Sequence, residues 1–185
     1  MKKILAIATL ALLTFGASAQ KLGRVNFTEL YQLAPEADAA REQITAMQNE
    51  AEETFNTMVE EYNTKATQYQ QKNATWTAAI KEAKEKELVD IQNRVQQFQQ
   101  SFSQELQQKQ AELMSPIMEK AQKAVQDLAK AQGIVAVFDT GSALYFDEAA
   151  VVDLTPAARK AMGIKEGRTL EQLQQELQAQ AAAAQ

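Results

Sequence analysis

The feature that most constrains this chain is a stretch of almost a hundred residues, 35–132, with no glycine and one interior proline. Apolar residues recur in it at steps of three and four, which place one narrow apolar seam along a helix, as in coiled coils. Glu, Gln, Lys and Thr fill most positions between, and they suit solvent-exposed faces. The seam comprises Ile44, Met47, Ala51, Phe55, Met58, Tyr62, Ala66, Tyr69, Asn73, Trp76 and Ile80, and then Leu88, Ile91, Val95, Phe98, Phe102, Leu106, Lys109, Leu113, Ile117, Ala121, Ala124 and Leu128.

One unbroken helix over this stretch would be about 150 Å long at 1.5 Å per residue. Residues 73–77, Asn-Ala-Thr-Trp-Thr, interrupt it with mediocre helix formers. Thr77 is suited to cap a second helix. We therefore predict an antiparallel hairpin over residues 35–132, with helix A from about residue 36 to 72, helix B from about 78 to 132 and a tip near 73–77. The alternative is a straight rod that pairs only between chains.

The N-terminus has the pattern of an export signal. Lys2 and Lys3 precede the apolar run Ile4–Phe15, and Ala17–Ala19 is a small-residue cleavage site. We therefore predict a signal peptide over residues 1–19 and a mature protein that begins at Gln20 and is exported to an oxidising compartment. The sequence has no cysteine, so no disulfide framework is available in that compartment.

Composition argues against several functions. Outside the signal, 17 basic residues stand against 24 acidic ones, whereas a nucleic-acid binder needs a basic face. There is no His and no Cys, and therefore no imidazole base, no thiolate and no zinc site of the usual ligands. Carboxylate pairs such as Glu52-Glu53 and Glu60-Glu61 are accounted for as solvated helix charges. We predict no enzyme activity, no catalytic residues, no bound metal, no cofactor and no nucleic-acid partner.

The segments that flank the long stretch, residues 20–34 and 133–163, predict a β-rich body. Lys21–Phe27 reads as a strand, and Gly133 is placed to close helix B. Ile134–Phe138 and Ala143–Phe146, joined by a turn, predict a β-hairpin, with a short third strand at residues 151–153. Thr155 before a proline predicts the N-cap of a helix that ends near residue 163.

This body has fewer than 50 residues, which is too few to bury a core of its own, and its apolar strands would leave unpaired edges. We therefore predict an obligate homo-oligomer that assembles through the body and carries projecting hairpins. The residues assigned to this shared core and interface are Val25, Ile134, Val135, Val137, Phe138, Leu144 and Phe146.

Residues 164–185 form a helical, Ala- and Gln-rich tail. The pattern from Thr169 to Gln172 is that of a capping box, and Leu170, Leu173 and Leu177 mark one helical face. Two interpretations stay open: an exposed helix that frays in solvent, and a helix that docks on the body.

Several landmarks in this order and spacing resemble the Skp/OmpH family of periplasmic chaperones, over the mature sequence to about residue 163. They are Leu22–Asn26, Pro35–Ala37, Leu113–Lys120, Gly133–Asp139 and Asp153–Thr155. The resemblance implies an α+β, mostly α fold. It also implies a jellyfish-like homotrimer, in which a β-barrel body carries three hairpin tentacles around a cavity.

Members of that family use no ATP and hold unfolded outer-membrane proteins in the cavity during transit through the periplasm. The resemblance therefore implies a periplasmic holdase with such clients. The best-known members are strongly basic, whereas this chain is acidic. Its acidity disfavours membrane or lipopolysaccharide contact at the tips and leaves apolar client contact intact. The alternative function is an envelope structural or adaptor protein that pairs its hairpin with a partner coiled coil.

Within this implied function, seam residues are assigned mainly to packing between helices A and B. The candidates for client contact are the tip tryptophan and the off-seam apolar residues: Trp76, Val59, Val89, Met114, Met118 and Val125. Trp76 either folds back on Ile80 or stays partly exposed to clients. Pro116 removes one helical hydrogen bond and is either a hinge or a local distortion without motion.

Overall fold

The computed structural model describes residues 20–183, so the predicted signal peptide, residues 1–19, lies outside the described residues. The described chain divides into two compact units. We name residues 35–117 the hairpin unit, and residues 20–34 and 118–183 the sheet unit. In chain order the elements are β1 (Lys21–Val25), α1 (Phe27–Gln32), α2 (Pro35–Lys72), a 3-10 turn (Asn73–Thr75), α3 (Ala78–Gln132), β2 (Ile134–Asp139), β3 (Val151–Asp153), α4 (Thr155–Ala161) and α5 (Leu170–Ala183).

The long stretch folds as two helices, α2 and α3, interrupted where the sequence predicts. The Thr77 hydroxyl accepts a hydrogen bond from the Ile80 backbone N–H at 3.4 Å and so caps the start of α3. The last residues of α3 belong to the sheet unit, and Gly133 follows them with a left-handed φ of 67°. That conformation is easiest for glycine, which explains the helix end at this position.

Helices α2 and α3 run antiparallel. Glu61 of α2 pairs with Arg94 of α3, and Tyr69, two turns further along α2, bonds Glu85, which lies earlier in α3. The partner number falls as the position along α2 rises, which is the signature of an antiparallel pair. The contacts lie within one chain, so the straight-rod alternative is wrong.

The predicted seam is the buried stripe of this pair. Within the hairpin unit Ala51, Ile91 and Ile117 are buried, and nearly all other seam residues are half-buried between exposed polar neighbours. Ile80 is the exception, with 43% of its surface exposed. Each helix has one partner helix in this unit, so the seam is covered from one side and keeps part of its surface in solvent.

The sheet unit contains a three-stranded parallel sheet in the order β2-β1-β3. The predicted β-hairpin is therefore wrong: residues 143–146 form no strand, and β2 pairs with β1. Gly23 of the central strand lies opposite Val137 and Val152. A Cβ at Gly23 would lie 3.3 Å from Cγ2 of Ile134, so a side chain here would force that neighbour to shift by a few tenths of an ångström.

Helices α1 and α4 pack against each other, and the buried core of the unit includes Val25, Leu30, Leu33, Ile134, Leu154, Ala158 and Met162. Asn26 caps α1, since its side-chain oxygen accepts from the Glu29 N–H at 3.2 Å. The sequence predicts that Thr155 caps its own helix, and this prediction is wrong. Its hydroxyl instead accepts from the Asn26 N–H at 3.0 Å and links β1 to the start of α4.

The tail begins with the predicted capping box. The Gln172 N–H donates to the Thr169 hydroxyl at 3.2 Å, and the Thr169 N–H donates to the Gln172 side chain at 3.1 Å. Leu173 is buried, whereas Leu177 is exposed. The first turns of α5 are therefore packed within the sheet unit, and the remainder is exposed to solvent.

Candidate functional site

Within residues 20–183, no group of three or more His, Cys, Asp or Glu is placed to hold a metal ion. Over the same residues, no helix has the length and apolarity needed to cross a membrane. The surfaces that remain to be explained lie along the hairpin and at the edge of the sheet.

Near its tip, the hairpin is joined by polar contacts that we call the distal clasp: Glu61, Tyr62, Lys65 and Tyr69 of α2 with Glu85, Glu87, Gln92 and Arg94 of α3. The Arg94 guanidinium donates to Glu61 at 2.7 Å, and the Gln92 amide donates to the Tyr62 hydroxyl at 2.9 Å. Lys65 pairs with Glu87, which also pairs with Lys84 of its own helix at 2.8 Å. These contacts fix the register of the two helices.

The clasp shifts the titration of two of its members. Hydrogen bonds from Lys65 and then Lys84 lower the pKa of the Glu87 carboxyl to about 2. The Tyr69 hydroxyl donates to the Glu85 carboxylate, and this bond raises the pKa of the tyrosine above its ordinary value. Both effects follow from local hydrogen bonds at the surface.

Trp76 lies at the tip and packs edge-on against Tyr69, with the two ring centroids 5.8 Å apart. It is half-buried. Its aromatic partner is therefore Tyr69 of α2, which the sequence interpretation, centred on Ile80, did not name. Part of the indole remains available at the surface.

Between the clasp and the base of the hairpin lies a section with different contacts. We call residues 42–60 of α2 and 95–108 of α3 the middle section. Among its described residues, no hydrogen bond or ion pair joins the two helices, so the half-buried seam alone holds them together here. Phe98 and Phe102 stack with centroids 6.1 Å apart and planes 12° apart, and both stay half-buried.

The residues predicted for client contact do not gather into one site. Val89 is 51% exposed in the hairpin unit, and Met118 is exposed in the sheet unit. Val59, Trp76 and Met114 are half-buried, and Val125 is buried. Their role in client contact stays a prediction.

Pro116 lies inside α3, and the helix continues unbroken on both sides of it. The hinge stays a prediction as well.

The sheet unit exposes several large apolar residues close together in sequence. Val135 is 62% exposed and Phe138 51% exposed on β2, which is an edge strand. Leu144 and Tyr145 are almost fully exposed in the segment between β2 and β3. The sequence predicts a strand over both residues and does not mark Tyr145 as a candidate. An apolar strand edge of this kind is characteristic of an assembly surface.

The other residues assigned to a shared core have mixed environments in a single chain. Val25 and Ile134 are buried within one chain, so the expectation that the body is too small to bury a core of its own is wrong. Val137 is half-buried in the wall of an apolar groove of about 480 Å³ beside β2. Phe146 is half-buried under the Arg24 guanidinium, which lies 5.0 Å from its ring centroid. Contact between chains through these residues stays a prediction.

Two long antiparallel helices inserted between strands of a small parallel sheet define an α+β protein built mostly of helix. The family model of OmpH-like outer membrane proteins matches residues 21–162. The chain belongs to this OmpH-like family. That membership supports a chaperone role.

A solved structure shares the fold. It is the crystal structure of an OmpH-like protein from Caulobacter crescentus, a candidate outer membrane chaperone. The similarity has a TM-score of 0.69 at 14% sequence identity, and it covers 85% of this chain and 92% of that one. At this identity the likeness establishes the fold alone. No curated protein matches the chain.

Proposed function

We propose that this protein is an ATP-independent periplasmic holdase, which binds unfolded outer-membrane proteins and prevents their aggregation on the way to the outer membrane. Membership of the OmpH-like family carries this proposal. The seam supports it physically: along the middle section its aromatic residues are covered by one partner helix and stay partly open. Partly exposed apolar side chains on a firm support are suited to an unfolded chain with many short apolar stretches.

The working form in this proposal is a homotrimer assembled through the sheet unit. A single chain leaves Val135, Phe138 and Leu144 in contact with water, and burying such side chains stabilises association by about 1.5–3 kcal/mol for each one fully buried. The backbone N–H and C=O groups along the unpaired edge of β2 can also form hydrogen bonds with a neighbouring chain. Three hairpins arranged around one space would then surround a client.

Contact between client and hairpin in this proposal involves Val59, Val89 and Met114, with Trp76 at the tip and Met118 nearer the sheet. Met side chains adapt to varied partners because they are unbranched and flexible. Pro116, which lies between Met114 and Met118 in α3, would act as a hinge. Lipopolysaccharide or membrane contact at the tips has little support, since Glu85 and Glu87 accompany the lysines there.

The alternative, an envelope adaptor that pairs its hairpin with a partner coiled coil, is less well supported. The distal clasp already pairs α2 with α3 within one chain, and Ile91 of the seam is only 1% exposed. A partner helix would therefore have to replace existing contacts. The apolar edge of the sheet unit also has no part in such an adaptor.

Aggregation of an outer-membrane β-barrel diluted from urea tests the proposal. We expect purified residues 20–185, at one trimer per client and without nucleotide, to suppress light scattering. Phe138→Asp should abolish suppression because it separates the chains, and Val89→Asp, a charge at an equally exposed site of the hairpin unit, should reduce it only partly. Full scattering with the unaltered protein would contradict the holdase function and favour the adaptor.

A further inference from the structure

The middle section of the hairpin differs from the rest of the chain in its charge. Its α2 half, residues 42–60, carries five glutamates and no lysine or arginine, and its α3 half, residues 95–108, carries Glu105 as its one charged residue. Outside residues 1–19 the chain has seven more acidic than basic residues, and this section supplies six of that excess. The remainder of the chain is close to neutral.

These acids are also uncompensated in the structure. Exposed glutamates that have no ion-pair partner among the described residues number six in this section: Glu42, Glu50, Glu52, Glu53, Glu60 and Glu105. In the adjoining clasp, by contrast, Glu61 and Glu87 each pair with a basic side chain. The negative potential of the middle section is therefore available to a partner from outside the chain.

The same section has a partly open apolar face. The stacked rings of Phe98 and Phe102 on α3 and the side chains of Phe55 and Val59 on α2 are half-buried. Helical spacing places Glu52 one turn before Phe55 and two turns before Val59, on the same side of α2. Apolar contact and negative charge are thus offered together along one face.

We propose that the middle section binds stretches of unfolded polypeptide in which lysine or arginine alternates with apolar residues. This inference rests on the proposed holdase function and adds the chemical class of the client segments. Charge complementarity favours a basic client segment, because six uncompensated carboxylates would repel an acidic one. The apolar residues of the client supply contact that does not depend on salt.

A pair of synthetic unfolded peptides tests this inference. They share the same apolar residues and differ only in having several lysines or the same number of glutamates. We expect the unaltered protein, residues 20–185, to bind the lysine peptide about tenfold more tightly at low salt. The ratio should fall to about twofold or less near 0.5 M salt, where the screening length is about 4 Å, while both peptides remain bound.

Two variants of equal net charge locate the effect. E50Q/E52Q/E53Q/E60Q removes four charges from the middle section, and E82Q/D90N/E166Q/E171Q removes four from elsewhere. The first should lose most of the preference for the lysine peptide, and the second should keep it. Helical content, measured by circular dichroism, should be unchanged in both, because Gln and Glu have similar helix propensities and so do Asn and Asp.

The outcomes separate this inference from the function on which it rests. If the protein keeps a barrel client in solution but binds both peptides equally, the holdase function stands and this inference is wrong. If the two variants lose the preference for the lysine peptide equally, the overall charge of the protein causes that preference, and this inference is wrong. If the protein neither binds the peptides nor suppresses aggregation, the proposed function itself fails.

Discussion

The substitution Ile91→Ala tests how much the buried seam stabilises the hairpin. Ile91 is the most completely buried seam residue of the hairpin unit on α3, at 1% exposure, whereas Ile80, at the start of the same helix, is 43% exposed. Truncation of a buried isoleucine to alanine costs about 2–5 kcal/mol, and a two-helix pair can relax into part of the space. We therefore expect a loss of about 2–3 kcal/mol for Ile91→Ala and less than about 1 kcal/mol for Ile80→Ala.

Urea unfolding followed by Trp76 fluorescence measures both variants, because the single tryptophan lies at the tip of the same hairpin. With a slope of about 2 kcal/mol per molar urea, Ile91→Ala should lower the midpoint by about 1 M or more. Ile80→Ala should shift it by less than about 0.5 M. Equal shifts in the two variants would refute the claim that a one-sided seam stabilises the hairpin.

Three further predictions concern the apolar edge of the sheet unit, the distal clasp and the tryptophan at the tip. Phe138→Asp places a charge on the apolar edge of the sheet unit and should dissociate the proposed trimer in sedimentation velocity, whereas Val89→Asp should leave it intact. An intact trimer in both variants would exclude this edge from assembly. Because the pKa of Glu87 is lowered in the folded protein, its pairs stabilise the hairpin above about pH 4.5, and this contribution is lost as the pH falls toward about 2. The difference in urea midpoint between Glu87→Gln and the unaltered protein should therefore shrink over that range, and a constant difference would argue against the pairs. The fluorescence emission of Trp76 should shift to the blue when a tryptophan-free client is added. An emission that the client does not change would indicate that Trp76 only packs on Tyr69.

The helical half of the fold could be predicted because its signals are local. The three-and-four spacing predicts the seam, and residues 73–77 predict the interruption. Cap chemistry at Thr77 and Gly133 predicts where α3 begins and ends. The distal clasp could not be predicted in this way. Long charged side chains occupy many exposed positions, and the register that brings Lys65 to Glu87 is a property of the folded pair.

The sheet shows where local reasoning fails. Residues 139–142 do form a turn, with the Ser142 N–H bonded to the Asp139 carbonyl at 3.2 Å, yet the chain does not return as an antiparallel strand. β2 pairs instead with β1, more than a hundred residues earlier, and no local pattern encodes a partner at that distance. Thr155 was misassigned for the same reason, since its hydroxyl bonds Asn26 from the other end of the chain.

The central claim is that the chains form a homotrimer that holds an unfolded outer-membrane protein. Native mass spectrometry of residues 20–185, mixed with a barrel protein diluted from urea, tests it most directly. We predict one dominant complex whose mass equals three chains and one client, and a trimer without client when none is added. A complex of one chain with one client, or a trimer that never takes up the client, would contradict the claim.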